Sequence, residues 1–188
     1  ERGLDDPGLA PARRAVDVIL PAHDPSPALA VDLRWNLVAA NAAMAPMMAG
    51  VDPELLTGTV NVIRLSLHPK GLAPRIANLG EWHAHIVERL RRQVELTADP
   101  GLADLIDEIR GYPRLPAPDR RPEDYGGVAI PFQLMVGDSL MSFFGTTTVF
   151  GTPVDITLSE LTLETFFPAD AATAEALRLA HDARRAAA

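Results

Sequence analysis

The run from Ala28 to Met44 constrains the fold more than any other part of this chain. It reads as two short apolar strands joined by a tight turn, the second leading straight into a helix. Ala28 to Val31 forms the first strand, Asp32-Leu33-Arg34 the turn, and Trp35 to Ala40 the second strand. Asn41 then stands where an N-cap belongs, its side-chain oxygen placed to accept a backbone N–H at the start of the apolar run 42–48.

The rest of the chain supplies helices first and strands later. Residues 1–11 are rich in Pro and Gly and read as a linker or remnant, and a short helix is expected over Ala12 to Leu20. Thr59 is placed to cap a helix carrying Val60, Ile63, Leu65 and Leu67, and a second helical piece covers Leu72 to Leu79. The strongest helical segment is Glu81 to Thr97. There His83, Val87, Leu90 and Val94 share one stripe, and Trp82 and Ile86 widen it. Asp99-Pro100 is an N-cap followed by an N1 proline, Leu102, Leu105, Ile106 and Ile109 make the next apolar face, and Gly111 is a stop.

Tyr112 to Gly127 reads as a surface loop, after which the character changes. Ile130 to Val136, Leu140 to Val149 and Val154 to Leu163 are predicted strands. Gly137-Asp138 and Gly151-Thr152-Pro153 mark the turns, with a bulge or kink near Ser159-Glu160. Ala171 to Ala188 closes as a helix. Two early and three late strands predict a five-stranded antiparallel sheet with its helices on one side, an α+β layout.

Composition narrows the function classes. The chain has 188 residues, of which 47% are apolar and 22% charged, enough for one domain with a real core. A net charge of −8 argues against direct contact with nucleic acid, because a binder needs a basic face to displace phosphate counterions. There is no cysteine, which excludes disulfides and thiolate chemistry. No apolar run approaches the ~18 residues of a membrane span, and no signal peptide is visible, so a soluble cytoplasmic protein is expected.

Catalytic signatures are missing from the sequence. There is no G-x-S-x-G elbow, no P-loop and no G-x-G-x-x-G. His83 and His85 are about 200° apart around a helix and cannot readily share an ion. No enzyme, cofactor or metal site is therefore expected. The apolar inventory is more informative. Met44, Met47 and Met48 cluster after Asn41, Met135 and Met141 lie on late strands, and Phe132, Phe143 and Phe144 join them, with Trp82 on the long helix. Thioethers and phenyl rings adapt to a flexible apolar ligand, although each residue alone is better explained by core packing. Arg64 and Arg75 are candidates to pair with an anionic head at the cavity mouth.

Together these residues resemble a known family. The block Val31-Asp32-Leu33-Arg34-Trp35-Asn36-Leu37-Val38-Ala39-Ala40-Asn41 is similar to the start of the MmyB-like ligand-binding domain. So is Asn61-Val62-Ile63-Arg64-Leu65-Ser66-Leu67-His68-Pro69-Lys70-Gly71-Leu72. The helix with Leu90-Arg91-Arg92, the Asp99-Pro100 start and the closing Ala174-Glu175-Ala176-Leu177-Arg178-Leu179-Ala180 continue the pattern. The resemblance implies a PAS-like effector domain over residues 12–188 of an XRE-family transcription regulator. It further implies a small, fatty-acid-like effector, a homodimer, and DNA binding by an N-terminal helix-turn-helix outside this chain. It brings no ligand contacts to carry over. The alternatives are a ligand-free dimerisation module of the same regulator and, as a weaker reading, a small-molecule enzyme.

Overall fold

The computed structural model describes residues 10–113, 130–149 and 161–187. Its elements run α1 (Ala10–Ala22), β1 (Ala28–Asp32), β2 (Leu37–Ala40), α2 (Val62–Leu67), α3 (Leu79–Thr97) and α4 (Pro100–Arg110). They continue with β3 (Phe132–Val136), β4 (Ser139–Val149), β5 (Leu161–Pro168) and α5 (Ala171–Ala187). Short 3₁₀ helices over Ala42–Met48, Pro53–Leu56 and Ala73–Arg75 fill the connections. The five strands form one antiparallel sheet in the order β2-β1-β5-β4-β3, so the early hairpin docks against the last strand. The α+β class and the five-stranded sheet are as the sequence predicts. The expected loop over Tyr112 to Gly127 lies outside the described residues from 114 onward, as do the turn at Gly151 and the bulge at Ser159-Glu160.

The first hairpin is organised by one aspartate. Asp32 Oδ1 accepts the backbone N–H groups of Arg34 (2.9 Å) and Asn36 (2.8 Å), and Oδ2 accepts the Asn36 amide at 2.9 Å. These bonds hold the chain through Trp35, whose φ of 66° is left-handed and unusual for a bulky residue. The turn folds the Trp35 side chain inward and leaves Leu33 exposed. Strand pairing with β1 therefore resumes only at Leu37, two residues after the strand start expected at Trp35.

Asn41 does something other than capping. The 3₁₀ helix after it has no side-chain cap. Instead Asn41 Oδ1 accepts the buried Ala28 N–H at 3.0 Å, while its amide donates to Asp24 Oδ1 and to the Ser26 carbonyl. It ties the end of β2 to the start of β1. The cap expected at Thr59 falls at Asn61, whose Oδ1 accepts Arg64 N–H while its amide donates to the Arg34 carbonyl at 2.8 Å. One side chain thus starts α2 and fixes it to the hairpin.

The two sheet faces have separate partners. Leu29 and Val31 of β1 belong to the main core with Leu134, Phe143 and the apolar faces of α2, α3 and α4. Ala28 and Ala30, one residue out of phase, pack with Leu161 and Leu163 against Val16 and Leu20 of α1. The helices are accordingly not all on one side, because α1 covers the back of β1 and β5. Asp99 caps α4 as the sequence predicts, accepting Gly101 N–H at 2.8 Å, and it also holds Arg34 across the surface.

Strand β5 continues to Pro168, past the end expected at Leu163. Glu164 looks like an interruption in an apolar strand. It pairs in register with Leu29 and is 6% exposed, because a cation on α3 satisfies it.

Candidate functional site

The inner face of the sheet and the overlying helices enclose a cavity of about 510 Å³, inside the ~300–1,000 Å³ range of small-molecule sites. Each wall follows from local sequence. The 3₁₀ helix Ala42–Met48 brings Met44, Met47 and Met48 to one side. The hairpin supplies Leu29, Trp35 and Leu37, and α2 supplies Val62, Ile63 and Leu65. Trp82, His85, Ile86 and Arg89 of α3 all face inward, since steps of three and four residues stay on one side of a helix. The sheet contributes Phe132, Phe144 to Thr146, Glu164 and Phe166.

Aromatic rings make one end of the cavity firm. Phe132 lies 4.8 Å from Trp82 and 5.9 Å from Phe166, centroid to centroid. Phe143 is fully buried behind them, 6.5 Å from Phe132 and 6.4 Å from Phe166. Trp82 Nε1 donates to Ser66 Oγ at 2.9 Å, so its polar edge is satisfied inside the wall. The methionines opposite have more rotatable bonds and can follow the outline of an occupant. Gly145 lies opposite Phe166 in the β4–β5 ladder, and a Cβ added there would meet only the Phe166 ring, at 3.9 Å. The missing side chain keeps that part of the cavity open.

The polar part of the wall is a matched ion pair. Arg89 Nη2 donates to Glu164 Oε1 at 2.6 Å and Nη1 donates to Oε2 at 3.1 Å. Thr147 Oγ1 accepts from Arg89 Nη2 at 2.6 Å and donates to Glu164 Oε1 at 3.0 Å. The guanidinium also sits 4.3 Å from the centre of the Trp35 ring. His85, one turn before Arg89, is tilted against Trp82 at 5.6 Å. Burial pushes its pKa below the ordinary histidine value, and the charges of Arg89 and Arg92 push the same way.

Of the residues proposed from sequence, Met44, Met47, Met48, Trp82, Phe132 and Phe144 lie in the cavity wall. Arg64, Arg75, Met135 and Phe143 do not. Arg64 makes a bidentate pair with Glu108 at 2.6 and 2.7 Å, and Tyr112 donates to the same carboxylate. This joins α2 to α4 and holds the Glu108 carboxyl below its usual range, while burial, and after it the bond to Glu108, raises the Tyr112 hydroxyl. Arg75 donates to the Met47 carbonyl at 2.7 Å and the Met135 carbonyl at 3.4 Å, securing the methionine helix to β3 from outside the cavity. The sequence reading missed Arg89 and Glu164. A signal for each was present: Arg89 is seven residues from Trp82 on a helix, and Glu164 is a lone acid in an apolar strand.

Among the described residues no group of three or more His, Asp or Glu side chains could hold a metal ion. Nor is any described helix long and apolar enough to cross a membrane. An antiparallel sheet closed by helices around a largely apolar cavity has the build of a small-molecule-binding module. Residues 12–180 match the family model described as MmyB-like transcription regulator ligand binding domain, and the chain belongs to that family. It is a family of regulator domains and not of enzymes. A search among curated proteins found no match.

Proposed function

We propose that this domain is the effector sensor of a cytoplasmic, PAS-like, XRE-family regulator, and that its effector has a long, flexible, fatty-acid-like apolar body. The observation that carries this is the cavity of about 510 Å³ walled by methionine on one side and aromatic rings on the other. Met44, Met47, Met48, Trp82, Phe132 and Phe144 would touch the apolar body, with Arg64 and Arg75 bracing the walls from behind. Burial of an acyl chain supplies the binding energy, at roughly 0.8 kcal/mol per methylene removed from water. A ligand that prefers one of two arrangements of these walls shifts their balance by the difference in its affinities. In a homodimer that shift would reach DNA through a helix-turn-helix joined to this domain.

The test is native mass spectrometry of the purified protein with solvent extraction of whatever co-purifies, paired with Nile red fluorescence. A co-purified acyl compound and saturable Nile red binding are expected. A protein free of such compounds that neither binds Nile red nor melts higher with any acyl compound would overturn the reading.

A further inference from the structure

We infer that Trp35 is a relay between the cavity and the first hairpin: an occupant keeps its indole in the wall, and an emptied cavity lets the ring turn inward and loosen the turn. The inference deepens the sensor reading and rests on it.

Trp35 belongs to the wall and to the turn at once. It is 7% exposed and lines the cavity, while its backbone carries the chain from β1 to β2. Among the described wall residues it alone has a left-handed backbone, with φ 66°. Two side chains of α3 keep the ring in place. Trp35 Nε1 donates to Gln93 Oε1 at 2.9 Å, and the Arg89 guanidinium lies 4.3 Å from the ring centre. The other end of the same Gln93 amide donates to the Leu33 carbonyl at 2.7 Å. One planar group serves both partners, so losing the indole also loosens the grip on the tip of the turn. Gln93 itself is not part of the described cavity wall.

The bonds that depend on this arrangement reach two elements. The N–H groups of Arg34 and Asn36 donate to Asp32 Oδ1, and that of Trp35 donates to the Asp32 carbonyl. The Trp35 carbonyl in turn accepts the Val62 N–H, at the start of α2, at 2.9 Å. A change of backbone at Trp35 therefore releases the turn and the α2 contact together, which gives two discrete states.

The direction follows from space. Ring and ligand compete for one apolar volume of about 510 Å³. Left empty, that volume leaves the cavity side of the indole without contacts. A ring that turns inward regains them, and the backbone leaves a disfavoured conformation. The hydrogen bond to Gln93 and the contact with Arg89 oppose the movement and are of comparable size. An occupant takes the space away, so it favours the held state without touching Gln93.

Hydrogen exchange read by mass spectrometry tests this on lipid-free protein, empty and then saturated with dodecanoate or dodecanol, whichever displaces Nile red more tightly. On the unaltered protein, saturation should slow exchange over residues 33–37 and at Val62 by about fivefold or more. Amides of α1, on the opposite face of the sheet, should change little. Gln93→Met should speed exchange of the empty turn by about tenfold, the scale of one lost hydrogen bond, and the probe should bring it back close to the occupied unaltered value. If saturation leaves the unaltered turn unchanged, or slows α1 to the same degree, the relay fails while the sensor reading stands. A Gln93→Met turn that exchanges equally fast empty and occupied also overturns the relay, because Gln93 is then only a brace. If neither probe displaces Nile red or raises Tm, both fail. The unaltered protein decides the matter even where the variant does not fold.

Discussion

Asn41 shows how much one side chain can hold together here. Its Oδ1 is the partner of the Ala28 N–H, and its amide serves two further acceptors on the loop before β1. Asn41→Ala leaves that buried N–H unsatisfied and should cost about 2 kcal/mol, the scale of a lost partner for a buried backbone donor. Urea unfolding at neutral pH checks it. His85 gives a pH prediction. Its folded pKa lies below the ordinary 6.5, so as pH falls the unfolded chain takes up a proton before the folded one does. Stability that is complete above pH 6.5 is lost as pH falls toward the folded value. The urea midpoint should fall as pH drops below 6.5, and His85→Asn should flatten that fall. A second, more acidic decline belongs to Glu108, whose carboxyl is held below 4.5 by Arg64, and Arg64→Met should weaken it.

At the scale of elements, Gly71 is, among the described glycines, the one with the least room for a side chain. A Cβ there would lie 2.1 Å from the Leu65 carbonyl oxygen, where the chain doubles back and Leu72 N–H bonds to that same oxygen. The His68-Pro69-Lys70-Gly71-Leu72 phrase is therefore a tight exit from α2, and Gly71→Ala should destabilise by about 2 kcal/mol or more through forced backbone movement. Thermal unfolding measures it. The amphipathic helices α3 and α4, the Asp99 cap and the early hairpin were legible because periodicity and capping are local properties of the chain. Asn41 and Glu164 were not, because their partners lie far away in sequence. An acid in a strand reads as a break until Arg89 of α3 is set against it, and a cap residue can serve any nearby donor. Met44, Met47 and Met48 could be read from sequence as a cluster. Arg64 and Arg75, chosen as cations set among apolar residues of the helical connector, had acceptors that only the fold reveals.

For the whole molecule, the cavity is space that the sheet leaves unfilled, and Gly145 is the cleanest place to fill it. Gly145→Val puts a branched side chain opposite Phe166 on the cavity face of β4. It should raise stability by about 0.5–1 kcal/mol, since glycine is a poor strand residue, while Nile red binding falls several-fold. Stability and ligand capacity moving in opposite directions would mark the cavity as functional space; both falling together would count against it. The turn at Trp35 carries a further consequence. Its left-handed backbone stores roughly 1–2 kcal/mol, and the indole is held down by its hydrogen bond to Gln93 and the stack on Arg89, both on α3. Gln93 also grips the Leu33 carbonyl at the tip of the same turn. The hairpin is thus a cocked spring with α3 as its catch, and a displacement of that helix by an occupant would be felt first at the outer edge of the sheet.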